Sequence, residues 1–117
     1  MDDKTLQKLE AAGVDIEGAI ERFLGNMEMY NLFLKKFVTD KNYESLVEAI
    51  DADDVQDAFT AAHALKGTCG NLSFTALYDV AYKITEDLRE GNLNEARTKM
   101  SELEEEYRKI ITLIEEL

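Results

Sequence analysis

The sequence predicts an all-α protein: an antiparallel four-helix bundle preceded by two short helices. Three observations carry this reading. Apolar residues recur at helical spacing along almost the whole chain. Proline is absent, and the breaks in that spacing fall at Gly, Asn, Asp and Ser. The 117 residues suffice for one core, with a radius of gyration of roughly 13 Å expected for that length, so one domain is expected over residues 1–117.

Each element follows from its own residues. Asp3 to Ala12 carries Leu6 and Leu9 and stops at Gly13; Asp15 to Leu24 carries Ile16, Ala19, Ile20 and Phe23 and stops at Gly25. Asn26 is a good N-cap for Met27, Tyr30, Phe33, Leu34 and Phe37, and Tyr43, Leu46, Val47 and Ile50 continue that period in a shifted phase. The spacing predicts one long helix, bent near Thr39 to Asn42. Asp53 with Gln56 has the form of a capping box, opening a helix with Val55, Ala58, Ala62, Leu65, Cys69 and Leu72 on one stripe. Gly70-Asn71 is expected to end it. Phe74, Leu77, Tyr78, Ala81, Ile84 and Leu88 define the next helix, closed by Gly91. Asn92 with Glu95 then caps a last helix carrying Ala96, Met100, Leu103, Tyr107, Ile110, Ile114 and Leu117, the seam of a helix packed on antiparallel neighbours.

Composition narrows the function classes. The 25 Asp and Glu against 13 Lys and Arg give a formal charge of −12, which repels nucleic-acid phosphates and anionic lipid, so neither nucleic acid nor membrane is an expected partner. No stretch approaches the run of about 18 apolar residues that spans a bilayer. One cysteine cannot close an intramolecular disulfide, and the N-terminus lacks the basic flank and apolar run of a signal peptide, so a reducing cytoplasm is expected.

On a helical wheel, His63, the only histidine, points away from the stripe of Ala58, Ala62, Leu65 and Cys69. Gln56, Phe59, Thr60, Lys66, Gly67 and Gly70 share its face, within about 60°. A hydrogen-bonded core histidine conflicts with this geometry, which leaves an ordinary exposed histidine or a functional one. Two observations favour function. Gly67 lies inside the helix, where glycine costs roughly 0.5–1 kcal/mol against alanine, and its outward position gives core packing no use for it. Bare backbone beside an exposed imidazole suits a partner that comes very close. From Phe59 to Tyr78 there is no acidic residue, and Lys66 is the only full charge, so an anionic group is tolerated here. A neutral imidazole is a nucleophile that can carry a phosphoryl group as a phosphoramidate. Lys66, at i+3, is close enough to stabilise phosphoryl oxygens.

His63-Ala64-Leu65-Lys66-Gly67, followed by Asn71-Leu72, resembles the H-x-L-K-G motif of histidine-containing phosphotransfer (HPt) domains. The resemblance extends upstream to Gly13-Val14-Asp15-Ile16 and Glu21-Arg22-Phe23, and downstream to Gly91. It implies a phosphorelay carrier in which His63 takes a phosphoryl group from an aspartyl phosphate on a receiver domain and passes it to another. Lys66 and Gly67 would support the phosphoryl, usually on Nε2. The implied partners are the receiver domains of hybrid sensor kinases and response regulators. These supply Mg²⁺, and no cofactor or metal is expected on this chain. The chain departs from the family at Ser73, where glycine is frequent after the leucine matching Leu72; a serine there can N-cap the following helix.

Phe59 and Ala64 are candidates for the apolar part of a docking surface, with Gln56, Thr60 and Gly70 around them; Phe59 alternatively curls over the bundle edge. No ATP-binding signature is present, so the phosphate is expected to arrive from elsewhere and the chain is not expected to be a kinase. Cys69 reads as core rather than metal ligand, the run from Asp51 to Asp54 as helix capping, and Glu102 to Glu106 as a solvated face. A monomer is expected, because no spare apolar face remains once the bundle is built. The alternative function is a non-catalytic acidic adaptor that docks receiver domains without phosphotransfer.

Overall fold

The computed structural model describes residues 1–117 as eight α-helices, with no strand. They are α1 (Asp3–Ala11), α2 (Ile16–Arg22), α3 (Met27–Phe37), α4 (Asn42–Asp51), α5 (Val55–Asn71), α6 (Thr75–Arg89), α7 (Leu93–Thr98) and α8 (Met100–Glu115). α5 packs between α4 and α6, α6 also packs on α7 and α8, and α8 meets α1 and α3. The all-helical class is as the sequence predicts. Apolar residues from every helix join in one continuous core whose largest fully buried side chains include Tyr30, Phe37, Phe74, Leu65 and Leu103. Each such side chain contributes about 1.5–3 kcal/mol on leaving water. The radius of gyration is 14.4 Å and the principal extents are 42 × 24 × 21 Å.

The two longest expected helices are each divided. α3 and α4 are separate, with Thr39 and Asp40 turning back on Lys36 and Phe37, and the last helix breaks at Lys99 into α7 and α8. The phase shift in the apolar pattern near Thr39 marks the first break; nothing comparable marks the second. α2 and α3 lie at the margin of the bundle, which covers their stripes only in part. Ile20 and Phe33, expected inside, are each 41% exposed.

With no proline available, helices end by backbone capping. At five ends the amide two residues beyond the C-cap reaches back across the last turn: Val14 to the Leu9 carbonyl, Gly25 to Ile20, Asp54 to Ala49, Phe74 to Cys69 and Asn92 to Asp87, at 2.8–3.1 Å. This closure puts the intervening residue in the left-handed region. Gly13 and Gly91 serve at two ends, but Leu24 (φ 53°), Asp53 (φ 55°) and Ser73 (φ 62°) serve at the other three despite having a Cβ.

Three expectations change in consequence. Asp53 is the terminating residue of α4 rather than the N-cap of α5, and Asp54 caps α5 by accepting from the Asp57 amide at 3.0 Å. α5 ends at Asn71 as expected, but Gly70 is an ordinary helical residue inside it and Ser73 makes the turn. Ser73 does not cap α6, which begins after Phe74 without a side-chain cap. Asn26 and Asn92 cap α3 and α7 as expected.

Candidate functional site

α5 is the element that carries the site, and its two faces differ as the wheel predicts. Ala58, Ala62, Leu65 and Cys69 are fully buried, and the small alanines let the flanking helices approach closely. Burial pushes the Cys69 thiol pKa upward, as expected of a core side chain. On the opposite face, Gln56, Thr60, His63 and Gly67 are exposed, while Phe59, Ala64, Lys66 and Gly70 are half-buried.

The turn after α5 is pinned from three sides. The buried Tyr30 hydroxyl donates to the Leu72 carbonyl at 2.8 Å, the Asp15 amide donates to the Ser73 carbonyl at 2.8 Å, and the Ala76 amide donates to the Gly13 carbonyl at 3.0 Å. A Cβ on Gly13 would stand 2.3 Å from that of Ala76, so this approach demands glycine. The segment from Gly13 to Asp15 thus fixes the C-terminal end of the helix that presents His63.

His63 makes no hydrogen bond to the rest of the chain, so both ring nitrogens face solvent. Its ring stacks on Phe59, with centroids 5.8 Å apart and planes 15° from parallel. Phe59 also packs against the core and lies under the Arg89 guanidinium, 5.0 Å from its centroid, so it both bridges the bundle edge and borders the histidine. The Lys66 ammonium pairs with no carboxylate; it sits 5.4 Å above the ring centroid of Tyr82. A Cβ added at Gly67 would meet nothing within 4 Å, so no internal packing requires glycine at this position. Gly70 is different, since a Cβ there would come 3.4 Å from the Tyr78 ring. Thr60 and Thr68 donate their hydroxyls to the carbonyls four residues back, Gln56 and Ala64.

The partners supplied by α6 were not foreseen from the sequence. Tyr78, Tyr82 and Arg89 fall on one stripe of α6, and they meet Gly70, Lys66 and Phe59 in reverse order, as an antiparallel register requires. Their spacing was readable, but which stripe of α6 faces the outer flank of α5 is set by packing. Beyond Gly67 a shallow cleft of about 450 Å³ opens between α2, α5 and α6, lined by Arg22, Lys66, Gly67, Gly70, Ser73 and Tyr78 among others. No group of three or more His, Cys, Asp or Glu side chains is placed to hold a metal ion. No helix is long and apolar enough to cross a membrane.

No curated protein and no solved structure matches the chain. The model of one family, the Hpt domain, does match, over residues 18–113, from α2 through almost all of α8 and with the His63 face near its middle. The match covers most of the chain, and the chain belongs to the Hpt domain family, whose members are helical phosphocarriers of two-component phosphorelays.

Proposed function

We propose that His63 is the phosphoacceptor of this Hpt domain and that the chain relays phosphoryl groups between receiver domains of hybrid sensor kinases and response regulators. The observation that carries the reading is the pairing of an exposed imidazole, free at both nitrogens, with an ammonium that no carboxylate neutralises and with open backbone at Gly67.

In the forward step the unprotonated ring nitrogen of His63 attacks the phosphorus of a receiver's aspartyl phosphate. A P–N bond forms, the acyl phosphate P–O bond breaks, the aspartate leaves as carboxylate, and the proton on the other ring nitrogen passes to solvent. The reverse of these bond changes delivers the group to the next aspartate. Lys66 balances the charge on the phosphoryl oxygens, and Gly67 admits the incoming domain. Mg²⁺ belongs to the receiver, which supplies the metal chemistry of transfer. Gln56, Phe59, Thr60, Ala64 and Gly70 form the surface against which the receiver rests, and the cytoplasm, where receiver domains are met, is the proposed location. The chain acts as a monomeric single domain with no cofactor of its own.

Incubation with a phosphorylated receiver domain tests this. Wild type acquires acid-labile, base-stable phosphate and His63→Gln acquires none. If wild type binds the receiver without taking up phosphate, the chain is an adaptor that docks without transfer.

A further inference from the structure

We infer that Tyr82 is a positioning residue for the phosphoryl site: its ring face holds the Lys66 ammonium in place without neutralising it. This rests on His63 being the acceptor. Tyr82 lies on α6, 45% exposed, in a region where a bulky aromatic has little core to fill. The Lys66 ammonium is 5.4 Å from its centroid. Tyr82 is itself propped by Tyr78, with ring centroids 6.2 Å apart, and Tyr78 rests against Gly70 of α5. The two tyrosines and two α5 residues therefore form a ladder that starts on helix backbone and ends at the ammonium.

The chemistry explains why a ring serves better than a carboxylate here. A lysine has a flexible stem, and an unrestrained ammonium spends most of its time away from any one point. A carboxylate at this place would hold it, but would cancel its charge and repel the phosphoryl group as well. The π face attracts the cation through its quadrupole and carries no net charge, so the ammonium keeps its full attraction for an anion. The three acidic residues of α6 leave the contact intact: Glu86 is engaged by Arg89 and Asp87 by Lys99, Asp79 is exposed and in no ion pair, and no carboxylate pairs with Lys66.

A receiver-free assay isolates this role. Purified protein is phosphorylated with phosphoramidate, whose P–N bond breaks as the His63 P–N bond forms and whose nitrogen leaves as ammonia. Tyr82→Leu is expected to slow phosphorylation about two- to fivefold, the range of an exposed cation–π contact. Tyr82→Phe retains the wild-type rate, and Tyr82→Glu slows it further than Tyr82→Leu. In a Lys66→Ala background Tyr82→Leu has no additional effect. Proton NMR supplies a readout apart from activity: the Lys66 ε-methylene signals are shifted upfield by the ring, and the shift disappears in Tyr82→Leu. Equal rates for wild type and Tyr82→Leu, or an undiminished effect of Tyr82→Leu without Lys66, overturn the positioning role while leaving His63 as acceptor. Wild type that takes up no phosphate at His63 from a phosphorylated receiver domain overturns both.

Discussion

On the α8 side of the molecule Lys109 lies against Glu105 and Glu106, Arg108 against Glu104, and Lys99 against Asp87 and Glu95. On the side that carries His63, Lys66 lies over Tyr82 and Arg89 over Phe59, and of these two only Arg89 also has a carboxylate partner, Glu86. The two regions hold cations by different chemistry, and the difference separates stability from function. A carboxylate within reach neutralises its cation, and such exposed pairs stabilise a fold only slightly. An aromatic face orients the cation and leaves its charge directed outward. A chain of net −12 can therefore present a locally non-acidic surface, because its acids are concentrated where they meet bases or water.

Substitutions on the two sides should separate accordingly. The largest effect is expected from Gly67→Gln, which crowds the approach to His63. Transfer from a receiver falls roughly a hundredfold, while the melting temperature rises, since a helix-interior glycine has been replaced by a better helix former. An unchanged transfer rate would show that close approach at Gly67 is not needed. Lys66→Ala comes next. Loss of a charge-assisted contact to the phosphoryl slows transfer about ten- to a hundredfold, with the thermal midpoint unmoved. Lys109→Ala, on α8, moves neither quantity. A large loss of stability in Lys66→Ala would place that side chain in the structural class instead.

A further substitution tests the support beneath the site. Tyr30→Phe leaves the Leu72 carbonyl without its donor and destabilises the bundle by roughly 1–3 kcal/mol in chemical denaturation. Burial first, and the charge of Asp15 second, raise the phenol's pKa in the folded protein. A raised pKa contributes stability that is complete below the ordinary phenol value of about 10 and is lost as pH climbs above it. Wild type thus weakens at strongly alkaline pH more steeply than Tyr30→Phe, and equal slopes would remove Tyr30 from that account. The smallest expected effect is stabilising. Ser73→Gly relieves a left-handed backbone at a Cβ-bearing residue and adds about 0.5–1 kcal/mol, leaving phosphotransfer unchanged. A loss of stability would mean that the Ser73 side chain contributes more than its backbone strain costs.

The same division governs what was legible in the sequence. The outward direction of His63 followed from the periodicity of Ala58, Ala62, Leu65 and Cys69, because a buried stripe on one helix fixes the opposite face without reference to any other helix. The partners of that face, Tyr82 and Arg89, depend on the rotation of α6 against α5, which the pattern of Leu77, Ala81, Ile84 and Leu88 constrains only to within a flank. Helix ends were legible where glycine closed them, at Gly13 and Gly91. They were misplaced by one or more residues where Leu24 and Asp53 took the left-handed conformation, and before Ser73 the end at Asn71 was right but the residue that closes it was not, since a leucine or serine carries no signal for that conformation and an aspartate only a weak one. The break at Lys99 was invisible for a related reason: the apolar seam from Ala96 to Ile114 runs through it with little interruption.

Locating the phosphate on the chain tests the central claim most directly. After reaction with a phosphorylated receiver, tandem mass spectrometry of peptides handled at neutral to alkaline pH should find one phosphate, on His63, and acid treatment should remove it. Phosphate on any other residue, or phosphate that survives acid, would contradict the assignment of His63 as the carrier.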